Sequence, residues 1–154
     1  MTRIHRIFCS AALAFAVAPA AVAEPGKEVI VPDAWKSAYE QLHYAPAVRA
    51  GDWLILSGVV AGFGPDPVDT DQEAAYVRAF EAIGAILKEG GADWDDVVEF
   101  ETFHTDLPGQ IVLFGEVKDR YVKEPYPAWT AIDIDRLYPD RGIVEIKVTA
   151  YLGE

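Results

Sequence analysis

The stretch from Thr70 to Gly91 constrains the fold more than any other part of the chain. Thr70-Asp71-Gln72-Glu73 is a capping-box pattern, after which Tyr76, Phe80, Ile83 and Leu87 recur at helical spacing until Gly90-Gly91 stops the run. A helix over 70–89 with one apolar stripe must lie on an apolar surface. The flanking segments offer one in strand form. Residues 45–50, the turn Gly51-Asp52 and residues 53–57 read as a β-hairpin, and 97–105, 128–134 and 143–152 read as three further strands. Asp106-Leu107-Pro108 opens a second helix, whose narrow stripe of Phe114, Val117 and Tyr121 runs until Pro125. Residues 24–33 read as a leader arm and 59–68, with Gly62, Gly64, Pro65 and Pro67, as a loop. The order β-β-α-β-α-β-β predicts an α+β domain with two helices on one sheet face, the other face being left for something else to cover.

The first two dozen residues read as an address. Arg3 and Arg6 precede an apolar run over 7–17, and Ala21-Val22-Ala23 supplies a small-x-small cleavage signal. The run is shorter than the ~20 residues that span a bilayer, so residues 1–23 are expected to be a cleaved signal peptide rather than an anchor. The expected destination is the periplasm or the exterior, with no membrane association after cleavage. Cleavage removes the one Cys and the one Met, leaving no disulfide, thiol nucleophile or Cys-based metal site. It also removes two of 13 basic residues and none of 25 acidic ones, taking the net charge from −12 to −14. A nucleic-acid partner needs a basic face to neutralise phosphates, so that class is excluded.

Single motifs carry little chemistry. Ser57 has no Gly-x-Ser-x-Gly elbow and no ordered Asp/His set, so it reads as a turn Ser. His104 shares strand parity with Val98, Phe100 and Thr102 and reads as a buried, satisfied imidazole. His43 and His104 lack metal-ligand spacing, so no metal is expected. Gly62-Phe63-Gly64-Pro65 precedes no helix directly and is not a dinucleotide fingerprint. No organic cofactor is expected either.

Several runs taken together carry more. Tyr44-Ala45-Pro46-Ala47-Val48-Arg49-Ala50-Gly51-Asp52 leads to Leu56-Ser57-Gly58, followed by Gly90-Gly91-Ala92-Asp93-Trp94-Asp95-Asp96-Val97-Val98. Phe103-His104-Thr105-Asp106, Pro127-Ala128-Trp129-Thr130-Ala131 and Val144-Glu145-Ile146-Lys147-Val148-Thr149-Ala150 complete the set. In this order the chain resembles the Rid superfamily, the reactive intermediate deaminases also called RutC-like or L-PSP proteins. The resemblance spans residues 44–152 and implies a family domain over 44–154, which leaves an N-terminal arm over 24–43 after the expected signal peptide of 1–23. It implies a chorismate-mutase-like fold, with a mixed sheet packed on two helices. It also implies a homotrimer whose sheets face inward as a barrel, with small-molecule sites in the clefts between subunits.

In the family an Arg clamps the carboxylate of a 2-imino acid, a Glu in the last strand handles the hydrolytic water, and a Tyr lines the cleft. Glu145 and Tyr44 match the Glu and the Tyr, which makes them the candidate catalytic residues. Ser57, Thr130 and Lys118, which falls near a common Asn, are candidate substrate-binding residues. Trp129 stands at the Arg position, as in a divergent subgroup. An indole offers one N–H and an apolar face where a guanidinium offers a bidentate fork. Losing such a partner typically costs ~2–5 kcal/mol of binding. Trp129 is therefore either a wall for a flat ligand without a carboxylate or a plug that packs the trimer. The first implies a hydrolase acting on an imine, enamine or related reactive metabolite, without the Arg-dependent 2-imino acid activity. The second implies a non-catalytic binding or interaction trimer.

Overall fold

The computed structural model describes residues 26–66 and 68–153, so the expected leader over 1–23 lies outside the described residues. Strands are β1 (Lys27–Ile30), β2 (Ala47–Ala50), β3 (Trp53–Leu56), β4 (Val59–Gly62), β5 (Val97–His104), β6 (Ala128–Asp133) and β7 (Gly142–Tyr151). Helices are α1 (Lys36–Leu42), α2 (Gln72–Glu89) and α3 (Leu107–Lys118), with short 3-10 turns over Asp33–Trp35 and Trp94–Asp96. The sheet runs β1-β2-β3-β7-β5-β6, and β4 also pairs with β7. All pairs are antiparallel except β5 with β6, which makes the sheet mixed. The chain is a mixed α+β fold.

Both long helices start and stop where their caps dictate. Asp71 caps α2 in place of the expected Thr70–Glu73 box, its carboxylate accepting the Ala74 N–H at 3.0 Å, and Gly91 takes the left-handed backbone at φ +79 that ends the helix. α2 buries Tyr76, Phe80, Ile83, Ile86 and Leu87 against the sheet. The facing positions are Leu54 and Leu56 of β3, Phe100 of β5, and Val144, Ile146 and Val148 of β7, all at most 1% exposed. Each fully buried Leu or Ile side chain of this kind contributes ~1.5–3 kcal/mol. The expected sheet with two helices on one face is therefore present, while α1 buries no residue at all.

Four local expectations need correction. Residues 59–62 form β4 instead of beginning a loop, because the ladder of β7 beyond β3 needs partners: Val59 pairs with Ile146 and Val60 with Glu145. The arm before Tyr44 joins the fold, which the sequence did not anticipate: β1 pairs with β2, and a 3-10 turn and α1 follow. A register shift between Val97 and Glu99 turns Val97 inward and leaves Val98 exposed, so Val98 does not share the face of Phe100, Thr102 and His104. α3 ends at Lys118, and Tyr121 stacks on Phe80 at 5.0 Å from the turn beyond it.

Among the described residues nothing covers the sheet face opposite the helices. Trp53, Ile55, Ile132 and Tyr151 lie on it, each 37–47% exposed, among Glu101, Glu145 and Lys147. Among the described residues no helix is long and apolar enough to cross a membrane.

Candidate functional site

The sequence-predicted site residues fall into two groups on opposite faces of the sheet. The first gathers where β3 gives way to β4. Gly58 lies between these strands, and both pair with β7. The Tyr44 hydroxyl donates to the Gly58 carbonyl at 2.9 Å, and the Ser57 hydroxyl donates to the Ala45 carbonyl at 2.7 Å. These two bonds tie the approach to β2 onto the end of β3. Ser57 thus acts as the turn Ser its sequence context implied.

Glu145 projects into the same place. Its flanking residues Val144 and Ile146 are fully buried toward the helices, so alternation sends its carboxylate to the open face. A Cβ added at Gly58 would meet Glu145 Oε1 at 1.8 Å and Cδ at 2.6 Å. Only a glycine leaves room for this carboxylate. Burial raises the Tyr44 phenol above its ordinary range, the Ser57 hydroxyl offsets part of that, and the neighbouring Glu145 carboxylate adds to it. The phenol therefore stays protonated at neutral pH, its hydrogen donated to the Gly58 carbonyl.

Glu145 keeps its carboxylate out of ion pairs among the described residues. The nearby cations are engaged elsewhere: Lys147 with Glu101 at 3.4 Å, and Arg141 with the backbone carbonyls of Asp66 and Asp69 at 2.9 and 2.7 Å. Trp35 stacks on Tyr44 with ring centroids 6.0 Å apart, walling the group from the N-terminal side. Sequence reasoning did not single out Trp35, because it assigned residues 24–43 to an N-terminal arm outside the family domain.

The second group surrounds Trp129. Register pairs Trp129 with Phe100 and Thr130 with Glu101, so the two neighbours point to opposite faces. Trp129 lines a cavity of about 330 Å³ with Phe100, Lys118, Val122, Tyr126 and Pro127, and stays 41% exposed. The ring bounds this space and does not fill it. The Lys118 ammonium lies 5.3 Å from the Trp129 ring centroid and 5.7 Å from that of Tyr126, and is paired with Asp119. Its side chain is only 12% exposed, so its stem forms part of the wall.

The indole N–H of Trp129 points the other way, donating to the buried Thr102 hydroxyl at 3.1 Å. His104 is fully buried and hydrogen-bonded through both ring nitrogens, to Thr102 and Gln110. Burial lowers its pKa from 6.5, against smaller opposing effects from Gln110 and Asp133. Thr102 and Gln110 were not singled out in the sequence, although Thr102 alternates in phase with Phe100 and His104. Within one chain, Glu145 and Trp129 do not share a site: they lie on opposite faces of the sheet.

The family model for Endoribonuclease L-PSP matches residues 36–152. RutC family protein YjgH of Escherichia coli K12 is 32% identical over 130 residues, covering 83% of this chain and 97% of that protein. Among solved structures, Protein YJGH superposes with a TM-score of 0.71 at 32% identity, covering 85% of this chain and 98% of that one. RidA from an Antarctic Psychrobacter superposes with a TM-score of 0.61 at 34% identity, covering 70% and 87%.

Proposed function

Since this chain belongs to the L-PSP endoribonuclease family, which includes the RutC and Rid proteins, we propose that it is a Rid-like hydrolase of small imines or enamines. Its substrate is flat and carries no carboxylate. The observation that carries this reading is the Glu145 carboxylate, out of ion pairs among the described residues, held against Gly58 and beside the Tyr44 phenol. Glu145 accepts a proton from water attacking the imine carbon and returns it to the nitrogen. It then moves the carbinolamine hydroxyl proton to the amine in the same way, and ammonia leaves as the carbonyl forms. The Tyr44 oxygen, its hydrogen held by the Gly58 carbonyl, accepts from the water.

Trp129, Tyr126 and Lys118 make the facing wall, and Thr130 lies at the edge of the open face. The indole N–H is spent on Thr102, and Lys118 is a point charge already paired with Asp119. Nothing at this wall reproduces a bidentate carboxylate clamp. No organic cofactor or metal takes part in the proposed chemistry.

The complete cleft needs a second copy. Two half-sites on opposite faces of one sheet, together with an uncovered face bearing Trp53, Ile55 and Ile132, support a homotrimer in which the subunits bring Glu145 opposite Trp129. The proposed protein is exported, on the strength of Arg3, Arg6, the apolar run and Ala21-Val22-Ala23.

Restoring the clamp tests the reading. Trp129→Arg alone would place a guanidinium against the Lys118 ammonium, so it is combined with Lys118→Asn. The double variant is expected to hydrolyse freshly generated 2-iminopropanoate at least ~30-fold better than wild type, from the ~2–5 kcal/mol such a pair supplies. Loss of trappable imine measures it. Efficient 2-iminopropanoate hydrolysis by wild type, unimproved in the variant, would contradict the proposed wall.

A further inference from the structure

A buried relay decides which part of Trp129 a ligand meets. Trp129 Nε1 donates to Thr102 Oγ1 at 3.1 Å, and His104 Nε2 lies 3.0 Å from the same hydroxyl. On the other side of the imidazole, Nδ1 is 3.1 Å from Gln110 Oε1. Gln110 Nε2 donates to Thr105 Oγ1 at 3.3 Å, and that hydroxyl donates to the Ile143 carbonyl at 3.2 Å.

The donors and acceptors along this path admit one consistent order. The Thr105 hydroxyl spends its hydrogen on the Ile143 carbonyl, so it must accept from the Gln110 amide nitrogen. That leaves Gln110 Oε1, an acceptor only, facing His104, so Nδ1 carries the imidazole proton. In the neutral ring Nε2 is then an acceptor and takes the Thr102 hydroxyl hydrogen. The Thr130 carbonyl, at 3.4 Å, is the longer alternative for that hydrogen. Thr102 oxygen is left with lone pairs alone toward Trp129, and the indole N–H turns inward to meet them.

We propose that Thr102 and His104 are positioning residues of the cleft, holding the indole N–H of Trp129 in the core so that a ligand meets only the ring face. Neither touches the ligand: Thr102 acts through Trp129, and His104 acts through Thr102. Phe114 backs the arrangement, its ring 5.0 Å from that of His104 and 6.2 Å from that of Trp129. The consequence is specificity. At Trp129 the wall offers its π face without its N–H, beside the Lys118 ammonium and the Tyr126 phenol, which favours a planar substrate and gives a hydrogen-bond acceptor nothing at the indole. This inference rests on the reading of the Trp129 cavity as half of the substrate cleft.

The test uses the indole N–H resonance of Trp129 in the 15N-labelled protein, assigned by its loss in Trp129→Phe. Thr102→Val keeps the shape and removes the acceptor. It is expected to shift the resonance and speed its exchange with solvent by roughly threefold to tenfold, while Thr102→Ser restores both. His104→Phe is expected to move the same resonance in the same direction by a smaller amount. With a carboxylate-free imine as probe, Thr102→Val should raise KM and leave kcat within about twofold. An unchanged Trp129 resonance in a folded Thr102→Val protein overturns the positioning role. A wild type that consumes no imine, with the resonance moving as described, overturns the hydrolase reading and leaves the relay standing.

Discussion

Gly58→Ala abolishes imine hydrolysis and leaves the fold standing. The new Cβ would sit 1.8 Å from Glu145 Oε1, 2.6 Å from Cδ and 2.8 Å from Cγ, so the whole side chain beyond Cβ must rotate away. Those atoms belong to a flexible chain on the open face of β7, with no ion pair to anchor them among the described residues, and rotation is cheap. The backbone there is not in the left-handed region, so alanine adds no strain of its own. The cost falls on function. A displaced carboxylate no longer faces the Tyr44 phenol, and activity is expected to drop ~10²–10⁴-fold, the usual worth of a general base. Gly58→Ala combined with Glu145→Ala should be no slower than either alone, since both remove the same group. Wild-type turnover in Gly58→Ala would show that the position of Glu145 does not matter.

Phe114→Ala is expected to cost about 3–5 kcal/mol of stability, the largest loss of any single truncation proposed here. Phe114 is completely buried and meets five other rings: Tyr76 at 5.3 Å, Phe80 at 5.7 Å, Phe100 at 6.3 Å, His104 at 5.0 Å and Trp129 at 6.2 Å. It joins α3 to α2 and to both strands that carry the Trp129 relay. Removing it opens a cavity that rigid aromatic neighbours cannot collapse to fill. A domain with ~5–15 kcal/mol of total stability would lose a large share. Urea unfolding measures the change, and Phe114→Leu should recover most of it, at a cost of about 1 kcal/mol. A loss below about 1 kcal/mol in Phe114→Ala would mean that the aromatic cluster does not hold the helices to the sheet.

The parts of the fold legible in the sequence were those with a local cause. The capping segment Thr70–Glu73, the stripe of Tyr76, Phe80, Ile83 and Leu87, and Gly90-Gly91 each act within a few residues of one another, and α2 appeared between them, although Asp71 caps it instead of the expected Thr70–Glu73 box. β4 was illegible because Val59–Gly62 becomes a strand only when β7 arrives from more than eighty residues away. Val98 was misplaced because one bulge reverses strand parity, and no residue type marks it. The site divides in the same way. Alternation along 143–152 sufficed to send Glu145 away from the core. The separation of Trp129 from Glu145 depends on strand order, with β5 between β6 and β7, and a linear pattern does not contain strand order. The relay through Thr102 and Gln110 was hidden for a similar reason: its members come from β5, α3 and β6, and only the fold brings them together.

The central claim is that Glu145 drives hydrolysis in a cleft that does not grip a carboxylate. The most direct measurement follows the consumption of a small imine without a carboxylate, beside freshly generated 2-iminopropanoate, by wild type and Glu145→Ala. The account predicts that wild type consumes the carboxylate-free imine at least ~30-fold more efficiently than 2-iminopropanoate. It also predicts that Glu145→Ala loses that activity. Faster turnover of 2-iminopropanoate, or equal turnover of the carboxylate-free imine by wild type and Glu145→Ala, would contradict it.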